Sequence, residues 1–469
     1  MLSMSVEDIA HRALDYALKL GTKFCVVRFH ERTYERIEAD RGVLKEYSYT
    51  RVRGLGIAVY MRGGYGYAYT SRLDVDSIRK TVERAITSAR AVATHIAEPH
   101  EITLAHGKHS FRVEYRINPF DIPAEEKIAL ILKLNRESID RNGIVSATTR
   151  MGIEHERKFI VTSEGGEISV EVMMVGISHL SVARDGAIAE RVYDHKSSVG
   201  GYEFIERTDW HAFVSEVDTL AIEASRASTP TPGVYTAIID NRLIGLLLHE
   251  AFGHASEGDT VLTGSSVLRN KLGQSVASEL VTVIDEGLVN GGYPVPFDDE
   301  GNPKRKTVVV ERGVLKNFLT SSIVAKKLNL QLTGNARAQS FNYEPLVRQT
   351  NYYLEPRDWR VEELFEDINN GIYLKGRGAL GGQVDPSVGT FTFSVGPSYI
   401  IEGGEPRKLV RGVIVSGYIL ETLREIDAVA RDLSIFTNVF GGCGKGGQVV
   451  RVGYGGPHVR VRRIVVGGA

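Results

Sequence analysis

The stretch Asn241–Asp259, NRLIGLLLHEAFGHASEGD, constrains this chain more than any other, because two histidines and their neighbouring acids lie within one apolar, helix-forming segment. His249 and Glu250 are adjacent, His254 follows five positions after His249, and Glu257 and Asp259 close the run. The pattern is H-E-x-x-x-H, one residue longer than the H-E-x-x-H of zinc proteases. At about 100° per residue, histidines four apart share a helix face, whereas histidines five apart stand roughly 140° from each other. Both can grip one ion only if the helix widens or ends between them. Gly253, immediately before His254, tolerates such a deviation, and single-turn π-bulges cluster at functional sites. A blander interpretation buries Leu243, Leu246, Leu247 and Phe252 and makes the histidines incidental. Two histidines flanking a glutamate in so apolar a setting favour a metal site instead.

With 469 residues, 42% hydrophobic and 25% charged, the chain has a globular composition and length for two or three domains. Lys plus Arg number 57 against 58 Asp plus Glu, so no net field draws nucleic acid or an anionic membrane surface, and neither is expected as a partner. Cys25 and Cys443 signal no disulfide framework. The N-terminus, MLSMSVEDIAHRALDYALKLG, lacks the apolar run of a signal peptide, and no stretch of about eighteen apolar residues occurs. A reducing, cytoplasmic location is the expectation.

Helix and strand periodicities predict an α+β fold: an N-terminal helix-and-sheet region over 1–230, then a β-rich domain over 233–469 that carries the metal-binding helix. The first helix starts at Ser5 with Asp8 in a capping-box position, turns Ile9, Ala13, Tyr16, Ala17 and Leu20 inward, and stops at Gly21. Short β runs follow from Phe24 to Tyr69, turning at Arg41-Gly42 and Gly63-Gly64, and Asp74 caps a second helix facing inward through Ile78, Val82, Ala85, Ile86 and Ala89. His95, His100, His106 and His109 fall in an irregularly spaced loop and read as surface residues. The order then recurs: a helix from Pro123 with Ile128, Ile131, Leu132 and Ile139 inward, strands from Val145 to Tyr193 turning at Gly165-Gly166 and Asp185-Gly186, and a helix from Thr208. This hints at two similar units, 1–100 and 120–228. The run Ser228-Thr-Pro-Thr-Pro-Gly233 is the clearest linker.

Beyond it, strands are expected at Leu280–Ile284, Thr307–Glu311, Thr350–Leu354, Thr390–Val395, Leu409–Ser416 and Val459–Val466, with helices at Trp359–Asn369, Ser322–Leu328 and Tyr418–Ala430. Gly376-Arg-Gly-Ala-Leu-Gly381 spells G-x-G-x-x-G, but GQVDPSVGTFTF follows it where a dinucleotide site needs a helix, so a tight turn is the better reading. A catalytic zinc takes three protein ligands and an open position. Glu257 and Asp259 are near in sequence, while Cys443 sits in GGCGKGGQ beside Lys445, which would favour the thiolate. Chemistry alone leaves the third ligand open among them. Cys25, in the alternating strand FCVVRF, reads as core.

These residues resemble the TldD/PmbA family, and within it the TldD-type subunits. The likeness is carried by HEAFGH at 249–254 with Glu257-Gly258-Asp259, FDDEGNP at 297–303, GGQVDPSVGTFTF at 381–393, GGCGKGGQ at 441–448 and the ending VGYGGPHVRVRRIVVGGA. The resemblance implies a zinc-dependent metallopeptidase with His249, His254 and Cys443 as metal ligands and Glu250 as catalytic acid and base. It also implies a dimer, with a second copy or with a TldE/PmbA-like subunit that lacks the metal motif, acting on unfolded peptides bound extended in an enclosed cavity. Fe²⁺ or Mn²⁺ could occupy a site that zinc would accept. The GGQVD segment is a candidate for close approach to a peptide backbone, and other substrate contacts are unassigned. Two rivals remain at this stage: a non-catalytic protein modulating a partner such as DNA gyrase, and a metal-dependent hydrolase of a non-peptide amide.

Overall fold

The β-branched and aromatic residues after Phe24 build fewer and longer strands than the expected short runs. The computed structural model describes residues 5–95, 102–379 and 381–468, and the fold is α+β. Helix α1 (Val6–Lys19) opens with the Ser5 hydroxyl accepting from the Asp8 amide at 3.1 Å and buries Ile9, Ala10, Ala13, Leu14 and Ala17; Leu20 lies exposed past its end. Strands β1 (Phe24–Asp40) and β2 (Val43–Met61) form a 17- and 19-residue hairpin. It turns at Arg41-Gly42 with φ of 49° and 81°, a left-handed pair suited to a two-residue hairpin turn. Strand β3 (Gly64–Thr70) and helix α2 (Val75–Ala93), capped by Asp74, complete the first unit with the expected inward face.

The region expected as a histidine loop contains a strand, β4 (Gly107–Arg112), which includes His109. His95, His106 and His109 are exposed, and His100 lies outside the described residues. Helix α3 (Ala124–Ile139) is rotated from the expected face, because Lys127, Asn135 and Ser138 point inward with Ile131 and Leu134 while Ile128, Leu132 and Ile139 are half-buried. Buried polar partners explain it: Lys127 donates to Glu35 at 2.6 Å and Asn135 to the Ala147 carbonyl at 3.0 Å. Strands β5 (Ile144–Thr162), β6 (Gly166–Asp185) and β7 (Ile188–Val199) turn at the predicted glycines, and short α4 (Glu203–Arg207) precedes α5 (Trp210–Arg226).

These strands form one sheet in the order β3-β2-β1-β5-β6, with β4 and β7 both on β6. The two helix-and-strand units meet where β1 and β5 pair antiparallel, Val26 opposite Thr162 and Asp40 opposite Thr148. Successive side chains of a strand face opposite ways. The odd-numbered Cys25, Val27, Phe29, Ile37 and Ala39 therefore lie under the helices, α1 and α2 at one end and α3 and α5 at the other. The even-numbered Val26, Arg28, His30 and Arg32 face the C-terminal half. Cys25 is core, and burial pushes its thiol up to about 12.

Strand β8 (Gly233–Ile239) enters a nine-stranded sheet whose outermost strand at one side is Gly381–Asp385. A second, six-stranded sheet runs Val314–Leu315, Thr307–Glu311, Val283–Glu286, Asn351–Leu354, Gly453–Gly456, Ser434–Thr437. Several expectations fail here for identifiable reasons. Trp359–Asn369 holds only a 3₁₀ turn at Glu362–Leu364, because the Arg357 amide bonds the Ala430 carbonyl at 2.9 Å and Asp367 turns left-handed at φ 66°. Leu409–Ser416 is two strands, Glu405–Val410 and Val413–Tyr418, broken at Gly412 with φ 60°. Tyr418–Ala430 is a helix, Ile419–Arg424, followed by a strand, Ile426–Val429. The strand expected at Leu280–Ile284 starts later, at Val283.

Candidate metal centre

The apolar residues of the opening stretch drive it into the large C-terminal core. Helix α6 (Asn241–Leu247), capped by Asp240 with a 2.9 Å bond from the Leu243 amide, buries Leu243, Ile244 and Leu247. It lies so close to Gly453–Gly456 that a Cβ at Gly245 would stand 2.4 Å from the Gly455 Cα. The i,i+5 spacing then takes effect: Leu248–Gly253 is a π-turn and His254–Ser256 a 3₁₀ turn. The widening brings the His249 and His254 rings to 5.4 Å between centroids, edge to face. A Cβ at Gly253 would lie 2.1 Å from the Gln349 Oε1, so a larger residue there would have to displace the buried Gln349 amide. The first glycine of the G-x-G-x-x-G run is explained nearby: a Cβ at Gly376 would press on Arg242 and the Leu243 amide, and strand Gly381–Asp385, not a helix, follows among the described residues.

Cys443 comes from a separate hairpin, Cys443–Lys445 paired with Gln448–Val450, and is 2% exposed. One ligand atom each from His249, His254 and Cys443 lie within 4.8 Å of one another, with the Cys443 Sγ 3.4 Å from the His254 Nε2. Glu250, on the same π-turn, keeps its side chain 35% exposed with a carboxylate oxygen 3.9 Å from the His254 Nε2. The other two candidates for third ligand are engaged elsewhere. Glu257 accepts from the His254 Nδ1 at 3.1 Å and from Lys445 at 2.8 Å, and Asp259 accepts from Lys445 at 2.7 Å. Lys445 thus serves the two acids and not, as the sequence suggested, the thiol.

Electrostatics follow from these contacts. Burial works against charge on Cys443, yet the two imidazoles bring its thiol well below the usual range. Burial likewise opposes protonation of the histidines, but Cys443 raises His249, and Glu257 with Cys443 raises His254 well above its ordinary value. Glu257 is fully buried, which alone would raise it; His254 and Lys445 hold it at about 2. Its bond to the Nδ1 leaves the Nε2 of His254 directed at Cys443, the arrangement by which an outer carboxylate fixes a ligating imidazole. Neither ring nitrogen of the buried His249 has a hydrogen-bond partner among the described residues. A buried polar ring without partners is costly unless something else satisfies it. Two imidazoles and a thiolate converging on one point fit a cation such as zinc, which His249, His254 and Cys443 would hold. Sequence reasoning missed Arg348 and Gln349, which touch this site from a segment with no motif of its own.

Comparison with known proteins decides the family. Residues 232–468 match the model of the PmbA/TldA metallopeptidase C-terminal domain, 25–89 that of domain 1 and 117–226 that of the central domain. The chain belongs to the TldD/PmbA family. It is 37% identical to a metalloprotease of Methanothermobacter thermautotrophicus over 99% of this chain and 97% of that protein. It is 31% identical to a zinc metalloprotease TldD homolog of Saccharolobus solfataricus, over 96% and 98%. Its fold is shared with a proposed modulator of a DNA gyrase from Thermotoga maritima, at TM-score 0.80 and 22% identity over 99% and 100% of the two chains. It is also shared with TldE from Thermococcus kodakarensis, at TM-score 0.75 and 18% identity over 98% and 99%. No helix among the described residues is long and apolar enough to cross a membrane.

Proposed function

We propose that this chain is a metal-bearing, catalytic member of its family: a zinc-dependent peptidase that cleaves unfolded peptides held in extended form within an enclosed cavity. The observation that carries the proposal is the meeting of His249, His254 and Cys443 ligand atoms within 4.8 Å, with Glu250 on the same turn. A thiolate in the ligand set suits zinc better than Mn²⁺, which prefers oxygen. His249, His254 and Cys443 would hold the zinc, which would supply Lewis acidity to the scissile carbonyl and to a neighbouring water. Glu250, half-buried and more open than the three ligand residues, takes the proton of the attacking water and delivers it to the leaving amine. Glu257 and Lys445 keep His254 aimed inward.

Strand Gly381–Asp385, outermost in its sheet, packs against the π-turn. A substrate backbone adding to that edge would run past Glu250 through main-chain hydrogen bonds, giving affinity with little sequence selectivity. Residues 1–230, with sub-units 1–100 and 120–228, form the N-terminal region and 233–469 the catalytic domain; the matched ranges 25–89, 117–226 and 232–468 support that division. A dimer, with a TldE/PmbA-like chain or a second copy, belongs to the same reading. The test is hydrolysis of an unstructured peptide by the zinc-loaded protein beside Glu250→Gln at equal zinc content. Cleavage should fall by about 10²- to 10⁴-fold in the variant. Equal cleavage by both would remove Glu250 from the mechanism. Failure of both, with zinc bound and a TldE/PmbA-like chain added, would favour a binding role over a peptidase.

A further inference from the structure

The two elements that carry the metal-ligating side chains are almost 200 residues apart in sequence, and neither reaches the other through its own backbone pairing: the π-turn holds His249 and His254, and the hairpin at 443–450 holds Cys443. Between them runs Val347–Thr350, a buried segment with no catalytic motif. Its consecutive residues reach in different directions. Gln349, fully buried, donates its Nε2 to the His249 carbonyl at 2.9 Å. Arg348, among the largest fully buried side chains, donates to the Cys443 carbonyl and, at 3.5 Å, to the Gln448 carbonyl across the hairpin. The Val347 carbonyl accepts from Lys445, the residue that also holds Glu257.

The segment is itself fixed. Asn335 pairs with the Arg348 backbone in both directions, its carbonyl accepting at 2.9 Å and its side chain donating at 2.8 Å. Arg337 donates to the Gln349 carbonyl at 2.7 Å, and Asp285 accepts from the Thr350 amide at 2.7 Å. Gln349 also fills the space that Gly253 leaves empty, against the last residue of the π-turn. Its Oε1 is buried without a hydrogen-bond partner among the described residues, so the amide is held by what its Nε2 does and by packing on Gly253.

We infer that Arg348 and Gln349 are positioning residues that set the separation of the thiolate from the two imidazoles: Gln349 clamps the carbonyl of His249 and wedges the π-turn open, and Arg348 clamps the carbonyl of Cys443. The inference rests on the metal-site reading above. Neither side chain touches the reacting atoms. Without Gln349 the turn can relax toward α-geometry, which rotates His249 and His254 apart; without Arg348 the hairpin loses the bond that seats Cys443 at the histidines.

The test is titration of the metal-free full-length protein with Co²⁺, followed by the thiolate-to-cobalt charge-transfer band and the ligand-field bands, with a competing chelator to obtain affinity. Gln349→Met keeps the volume and removes the donor; Arg348→Lys keeps the charge and removes the fork. Each should weaken Co²⁺ binding by about 10- to 100-fold, the loss typical of residues that orient metal ligands. At saturating Co²⁺ the two should differ: Arg348→Lys loses charge-transfer intensity, while Gln349→Met keeps it and shifts the ligand-field bands. Gln349→Asn, which retains an amide one methylene shorter, should recover part of the affinity and serves where Gln349→Met does not fold. Variants that melt as the wild type does and bind Co²⁺ with wild-type affinity and spectrum would overturn the assignment while leaving the metal site intact. A wild type that shows no thiolate–cobalt band would overturn the metal-site reading itself, and the assignment with it.

Discussion

Two buried histidine clusters in this molecule are set in opposite directions. On the even face of β1, His30 bonds Glu156 through one nitrogen at 2.9 Å and is enclosed with Arg28, Arg32, Lys158 and Asp299. Cations and carboxylates there answer one another: Lys158 meets Asp299 at 2.9 Å and Arg451 meets Glu154 at 2.6 Å. Burial then decides, and His30 falls to about 4. At the π-turn His249 is buried and His254 nearly so, but a thiol and Glu257 face the rings without an equal set of cations, and His254 rises well above its ordinary value. The first cluster is closed and seals the N-terminal sheet onto the C-terminal half. The second leaves soft donors converging on one point and a carboxylate half in the open. His30 also leaves its Nδ1 without a hydrogen-bond partner among the described residues, so neither burial nor an unpartnered ring nitrogen marks function by itself; what sets the second cluster apart is that three ligand atoms converge.

The largest effect expected from breaking this contrast is at the ligands. Cys443→Ser or His254→Ala should lower zinc affinity by at least about 100-fold, measured by chelator competition. Retention of wild-type affinity by Cys443→Ser would return the third-ligand role to an acid. Next comes the carboxylate that aims a ligand: Glu257→Gln should cost about 10- to 100-fold in zinc affinity, with secondary structure by circular dichroism unchanged. Gly253→Ala, which forces a Cβ against Gln349, should destabilise the fold by about 1–3 kcal/mol in chemical denaturation and weaken zinc binding along with it.

The last prediction concerns the closed cluster, where the effect is spread over a pH window and touches no metal ligand. His30 is held near 4 by burial, so between pH 6.5 and 4 the unfolded chain binds a proton that the folded chain does not. Its contribution is fully present above the ordinary histidine value and is lost as pH falls through that window, by up to about 1.4 kcal/mol per pH unit. His30→Gln should flatten the melting-temperature profile between pH 6.5 and 4 relative to the wild type; an unchanged slope would mean that His30 is charged in the fold.

Much of the site was legible because its chemistry is local in sequence. The spacing of His249 and His254, with Gly253 between them, demanded a widened turn, and Leu248–Gly253 supplies it. Helix caps at Ser5 and Asp74 were equally readable, since each is a bond between residues three apart. What escaped depends on residues far away. Lys127 and Asn135 point inward because Glu35 and Ala147 await them across the sheet, which no helical periodicity records. Lys445 seemed to serve Cys443 because the two are neighbours in sequence, but its charge is spent on Glu257 and Asp259. Arg348 and Gln349 look like the approach to an ordinary strand, and only the fold brings them to the backbones of Cys443 and His249.

X-ray absorption at the zinc edge of the metal-loaded protein reads the ligand set itself. Ligation by His249, His254 and Cys443 gives one sulfur at about 2.3 Å with two imidazole nitrogens and a light scatterer at about 2.0–2.1 Å. A shell of nitrogen and oxygen alone, without sulfur, would contradict it.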